Sequence, residues 1–201
     1  MTQPIAEISH EKQLTIKLLD LFPRQGKWTE SDYFNLPDTN KVIELSEGRL
    51  IIPDMPNEEH QKISLRLSFA LYSYVSKNKI GDVRYSPLPV ILWKDKIREP
   101  DIVFMSNEHK DRIFEKYWGI PDLVMEILSE STSKEDRTEK FYEYAKAGIL
   151  EYWIINPFKK NVEVFNLEDG VYELFDKCGI GETAKSKLIV GFEISVNELM
   201  E

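Results

Sequence analysis

Apolar residues in this chain come in short runs whose period changes along the sequence. Over residues 121–128 nearly every position is apolar, with Leu123, Met125 and Ile127 on one alternating face and Val124 and Leu128 on the other. A strand written this way is covered on both sides, as at the centre of an α/β sheet. Glu126 interrupts the second face. A second apolar run, Ile102-Val103-Phe104-Met105, follows Arg98-Glu99-Pro100-Asp101, so an acid again meets a buried strand. Residues 42–45 and 49–52 flank Ser46-Glu47-Gly48 and predict a β-hairpin. The stretch 58–77 carries Ile63, Leu67, Leu71, Tyr74 and Val75 on one side, the pattern of a long amphipathic helix.

The remaining segments complete an α/β pattern. Strands are expected over 83–85, 89–93, 101–105, 123–128 and 151–155, the last ending at Asn156-Pro157. Residues 162–167 and 172–175 predict a hairpin around Asp169-Gly170. Ser133 opens a helix that Gly148 closes, and Thr29 with Asp32 three positions on marks a short helix to about Leu36. Residues 5–21 show a looser helical pattern. Strands on both sides of helices predict one α/β domain over 1–201 with a mixed central sheet, its core about 28–199, after an N-terminal helical extension over 1–27.

An unpaired carboxylate in a buried strand costs several kcal/mol, so Asp101 and Glu126 need a compensating group. A core Arg or Lys, or backbone N–H groups at a strand end, would suffice for either acid alone. Two such acids about 25 residues apart point instead to a shared metal ion. Mg²⁺ suits this setting, because it is often held by one or two carboxylates with waters and phosphate oxygens. Glu44 lies in a hairpin strand where a half-exposed glutamate is unremarkable; facing the same cleft, it would be a third carboxylate. His60 starts the long helix beside Glu58 and Glu59, either packed there or reaching the cleft. Ser133 and Asp136 have capping spacing, and Asp136 and Lys140 have ion-pair spacing. Lys140 shares a helix face with Tyr144 and Gly148, so it also has the option of lying against the sheet, where a lysine offsets phosphate charge or helps deprotonate a water.

Composition narrows the class. The 201 residues are 42% hydrophobic and 30% charged, an ordinary soluble balance, and no apolar run reaches the ~18 residues of a membrane span. No signal-peptide pattern opens the chain, and the lone cysteine, Cys178, leaves no internal disulfide, so a cytoplasmic protein is expected. The net charge of −9 argues against indiscriminate nucleic-acid binding, while leaving room for a local basic surface or a neutralising metal. Ser129 has no histidine partner in sequence for a hydrolase triad, the 9 glycines form no phosphate loop, and His10 and His109 carry no signal.

Several fragments in fixed order then define a resemblance: Glu44-Leu45-Ser46-Glu47-Gly48-Arg49-Leu50, a histidine opening the next helix, Glu99-Pro100-Asp101, Pro121 through Ser129, and Lys140 through Pro157 with Tyr144, Gly148, Glu151-Tyr152-Trp153 and Asn156-Pro157. This order resembles the Uma-two family of restriction-endonuclease-like proteins, within the PD-(D/E)XK nuclease superfamily. The resemblance implies a restriction-endonuclease-like α/β fold, a mixed sheet flanked by helices, and an acidic Mg²⁺ site in which Mn²⁺ can substitute. By it, Asp101 and Glu126 are metal ligands, Glu44 is an additional acid, and Lys140 replaces a lysine that the superfamily carries two residues after the second acid. That place is Leu128 here. His60 and Lys140 would assist, and Lys94, Lys96, Arg98, Lys134 and Arg137 are candidates for following phosphates. The implied activity is DNA endonuclease, with a homodimer expected because double-strand cutting needs two sites. A catalytically silent module that binds nucleic acid or a protein remains the alternative, and a hydrolase of small phosphorylated molecules a third.

Overall fold

The computed structural model describes residues 22–37, 39–130 and 132–201, so the helical pattern expected over 5–21 lies outside the described residues. Six strands build the central sheet: β3 (Gly81–Tyr85), β6 (Ile102–Ser106), β7 (Leu123–Ile127), β8 (Glu151–Asn156), β9 (Asn161–Glu168) and β10 (Val171–Cys178). Their order is β10-β9-β8-β7-β6-β3. β7 and β8 run parallel and all other neighbours antiparallel, which makes the sheet mixed. A parallel pair needs a crossover, and residues 128–150 supply it as helices.

The alternation in β7 sorts its side chains as the pattern requires. Leu123, Met125 and Ile127 pack with Trp153, Ile155 and the inner stripe Ile63, Leu67, Leu71 and Val75 of helix α2 (Glu58–Asn78). Val124 and Leu128 pack on the opposite side with Tyr144, Ala145, Ile149 and Tyr152. The C-terminal residues close the first side through β11 (Thr183–Lys185), β12 (Glu193–Ser195) and helix α5 (Val196–Met200).

A second, four-stranded sheet lies beside the first, in the order β2-β1-β5-β4. It comprises β1 (Glu44–Ser46), β2 (Arg49–Ile51), β4 (Val90–Trp93) and β5 (Lys96–Arg98). The β1–β2 turn places Glu47 at φ 50 and Gly48 at φ 68, the doubly left-handed pair of a tight hairpin. A Cβ on Gly48 would also come within 2.8 Å of the Gly26 backbone, so the turn needs glycine twice over. Leu45 and Ile97 from this sheet pack with Trp28 and Tyr33. Tyr33 belongs to helix α1 (Glu30–Phe34), which Thr29 and Asp32 close with a reciprocal capping box.

Two elements differ from expectation. Strand β5 was not anticipated, because Lys96-Ile97-Arg98 holds one apolar residue; both cations are nonetheless buried, and their polarity hides the strand. The helix expected over 133–148 is two helices, α3 (Ser133–Asp136) and α4 (Glu139–Ala147), broken where Thr138 adopts φ −127 and ψ −80. The expected Ser133–Asp136 cap does not form: Asp136 is buried and ion-paired to Lys140, which outweighs a solvent-exposed cap bond. Among the described residues no helix is long and apolar enough to cross a membrane.

The break between α3 and α4 is tied to the sheet by Arg137, whose Nη1 lies 2.6 Å from Glu163 on β9, while Lys177 on β10 reaches the same carboxylate at 2.9 Å. Burial alone would raise the Glu163 carboxyl, but these two cations hold it below its ordinary 4.5. A group depressed in the folded state stabilises above its ordinary pKa and loses that contribution as pH falls through the folded value. Glu163→Gln should therefore melt below the parent at neutral pH, and the gap should close as pH drops below 4.5. A gap in thermal midpoint that persists unchanged from about pH 7 to about pH 3 contradicts this account.

Candidate active site

Register brings the two strand acids together. Ile102 on β6 pairs with Met125 on β7, so Asp101, one residue earlier, falls beside Glu126, one residue later. The Ile127 N–H donates to Asp101 Oδ2 at 2.7 Å, and the Asp101 N–H reaches Glu126 Oε2 at 3.4 Å. His60 Nε2 lies 3.1 Å from Asp101 Oδ2. The helix start fixes this histidine, since the Asn57 side chain caps α2 by accepting from the His60 N–H at 2.9 Å. Among the described residues no donor caps Asp101 Oδ1, and the side chain keeps 17% of its surface in solvent.

Glu126 points to the α4 side, because position 126 shares the face of Val124 and Leu128. Its Oε1 accepts from the Tyr144 hydroxyl at 2.7 Å and from Lys140 Nζ at 3.0 Å. Lys140 also contacts Asp136 at 3.2 Å and Glu44 at 3.3 Å. Burial alone would lower the lysine's pKa; Glu126, Glu44 and Asp136 overcome it and hold the ammonium well above its ordinary value. Glu126 moves the other way. Burial, then Asp136, Asp101 and Glu44, push it up to about 8 against the pull of Lys140.

Glu44 enters from β1 and spends both oxygens on the protein. Oε2 takes Arg98 at 2.7 Å, while Oε1 takes the Glu99 N–H at 3.2 Å and Lys140. Burial would raise its pKa, yet Lys140 and Arg98 bring it below 4.5. Arg98 is fully buried and bonds four carboxylates: Glu44, Glu135 and Glu139 at 2.7 Å and Glu143 at 2.8 Å. Lys96, also buried, bonds Ser46 Oγ and Glu143.

Asp101, Glu126, Lys140, Glu44 and His60 thus form one connected network, but with unequal neighbours. His60 contacts Asp101, and Glu44 contacts Lys140. Among the described residues no three His, Cys, Asp or Glu groups gather as a metal-holding cluster, and Glu44 is held by cations instead. Two suggested phosphate contacts are corrected: Lys96 and Arg98 are 2% and 0% exposed and consumed by carboxylates, so neither faces a polymer. Arg137 is paired with Glu163, whereas Lys94 and Lys134 are exposed.

Sequence reasoning gave Asp136 two readings, a cap and an i,i+4 ion pair with Lys140; the pair forms at 3.2 Å and the cap does not, and the place of Asp136 in the site and the acid ladder Glu135, Glu139 and Glu143 were missed. A signal existed. Asp136, Lys140 and Tyr144 recur every four residues, as do Glu135, Glu139 and Glu143, so two adjacent helical stripes carry the chemistry. Lys96 and Arg98 alternate onto one face of β5 to meet the second stripe. His109 takes no part: its Nδ1 lies 2.5 Å from Asp122 Oδ1, at the opposite end of β7.

The donor set fits a hard divalent cation. Asp101 and Glu126 set carboxylate oxygens side by side, Asp101 partly open to solvent and Glu126 buried, and burial first, then the neighbouring acids, raises the Glu126 pKa to about 8, so that added positive charge beside the pair is favoured.

A mixed sheet flanked by helices, with acids and a lysine converging at one end of the β6–β7 pair, defines an α/β protein of the restriction-endonuclease-like class. Residues 30–197 match the model of the family Uma2, described as "Putative restriction endonuclease". The chain belongs to this Uma-two family. A solved structure, a "putative nuclease belonging to DUF820" from Anabaena variabilis, is similar in fold, with a TM-score of 0.71 at 23% identity, covering 86% of this chain and 97% of that one. No curated protein matches the chain.

Replacing Arg98 by an apolar side chain would leave the buried Glu44 carboxylate without its 2.7 Å guanidinium partner. Arg98→Met should destabilise the protein by about 3–5 kcal/mol in urea titration, because an uncompensated buried charge costs more than the pair contributes. A loss below about 1 kcal/mol would mean that the guanidinium is dispensable to the fold.

Proposed function

We propose that this chain is a divalent-metal-dependent nuclease that hydrolyses DNA phosphodiesters. The observation that carries the reading is the side-by-side placement of Asp101 and Glu126 with a permanently charged Lys140 on the second acid. Mg²⁺, or Mn²⁺ in its place, would be held by Asp101 and Glu126; when bound there it supplies water activation and charge neutralisation at the phosphate. His60 and the Ile127 N–H both engage Asp101 Oδ2, which leaves Oδ1 available to a ligand. Tyr144 and Lys140 both engage Glu126 Oε1, which leaves Oε2 on the Asp101 side.

The raised pKa of Lys140 supports a choice between the two roles open to it. A lysine that stays protonated cannot take a proton from water at neutral pH, so it offsets the charge that develops on the phosphate. Glu44 and Asp136 keep it charged and in place. Glu44 therefore serves the site through the lysine rather than as a further ligand. The alternative of a silent binding module rests on Leu128 standing where the superfamily has lysine and on the net charge of −9; the 3.0 Å contact of Lys140 with Glu126 favours hydrolysis.

Supercoiled plasmid incubated with the purified protein and Mg²⁺ or Mn²⁺ tests this directly. The parent should nick or linearise it, Asp101→Ala and Glu126→Ala should not, and Lys140→Met should slow it by about 10²–10³. Mg²⁺ should also raise the melting temperature of the parent but not of Asp101→Ala. Natively folded parent that leaves plasmid intact in both metals would transfer the case to the binding module, and cleavage surviving both acid substitutions would place the reaction elsewhere.

A further inference from the structure

Helix α2 has two apolar stripes, and the described residues bury one of them. Ile63, Leu67, Leu71 and Val75 face the core, whereas Leu65, Phe69 and Tyr72 point outward with 72%, 71% and 56% of their surface in water. The i, i+4, i+7 spacing sets these three on one line, nearly opposite the buried stripe. The outward face of a helix on a monomeric surface is ordinarily polar, and three large exposed apolar groups in line mark a contact surface.

The charges along the same line say what covers it. Glu58 begins the outward stripe and the exposed Lys79 follows its end, each about ten residues from the midpoint between Leu65 and Tyr72, or roughly 16 Å along the axis. A second α2 laid antiparallel puts Leu65 against Tyr72 of its copy, Phe69 at the centre, and Glu58 of each chain against Lys79 of the other. Parallel pairing would oppose Glu58 with Glu58 and Lys79 with Lys79. The flanking cations do not compete, since Lys62 donates to the Glu201 carbonyl and Arg66 to the Glu198 carbonyl of the same chain.

We propose that two copies of this chain associate through the outward face of α2, antiparallel about a two-fold axis near Phe69. The interface is isologous, so one stripe serves both subunits. The inference stands on the surface of α2 alone and is independent of the nuclease reading.

Sedimentation of the full chain should give twice 23.6 kDa at micromolar concentration, and Phe69→Lys should raise the dimer–monomer midpoint at least about tenfold with an unchanged circular-dichroism melt. Orientation is read by cross-linking. Gln61 and Ser76 are exposed and equidistant from the proposed axis, so a chain carrying both Gln61→Cys and Ser76→Cys should form a disulfide-linked dimer on oxidation, and neither single variant should. Within one helix the two positions are too far apart to bridge. A monomeric parent, or a dimer indifferent to Phe69→Lys, overturns the proposal and assigns the stripe to a different partner. A covalent dimer from either single variant overturns the antiparallel arrangement.

Discussion

A guanidinium sealed from water and surrounded by four carboxylates is the constraint on which the site side of this protein depends. Burying Arg98 alone would be prohibitive, and burying Glu44 alone nearly so. Arginine resolves this because its planar fork presents five N–H donors in fixed directions, enough to serve Glu44, Glu135, Glu139 and Glu143 at once with short charge-assisted bonds. Those acids come from β1, α3 and α4, and Arg98 itself from β5. One side chain therefore locks the small sheet against the crossover helices. Lys96 and Lys140 flank it and share the surplus negative charge. Were this clamp absent, nothing in β1 would oblige Glu44 to meet Lys140.

The second constraint is the β6–β7 register. Antiparallel pairing of Ile102 with Met125 fixes Asp101 next to Glu126, and Pro100 ahead of it ends β5's continuation so that Asp101 leads into β6. The pleat then turns Glu126 to the α4 face, where α4 delivers Lys140 and Tyr144 one turn apart. A slip of one residue would send Glu126 into the apolar side lined by α2, away from Lys140 and Tyr144. The apolar pattern of β7 forbids that slip, so hydrophobic burial positions the acid even though it opposes the acid's charge.

Much of the fold is legible in the sequence because burial leaves a periodic trace. Both faces of β7, the inner stripe of α2, the capping box of α1 and the hairpin at Gly48 follow from local pattern and turn chemistry. Strand β5 is illegible for a physical reason: Lys96 and Arg98 are hidden from water by acids far away in the chain, and no pattern of polarity distinguishes a solvated cation from a neutralised one. The broken crossover helix is illegible for a related reason. Asp136 has the spacing of a cap, but a buried lysine competes for it more strongly than water does.

The sequence by itself determined the two-sided burial of β7, the inner face of α2, the hairpin at Gly48 and which acids stand in apolar surroundings. These properties depend on near neighbours and on the hydrophobic effect, which is non-directional and reads out as period. Only the tertiary structure decided which charges meet. Positions 44, 98, 126 and 140 lie on four different elements, and their pairing depends on register, on the handover from β5 to β6 and on the break between α3 and α4. Electrostatic energies at 3 Å are decided by tenths of a turn or of a pleat, and that precision appears once the core has set the elements in place.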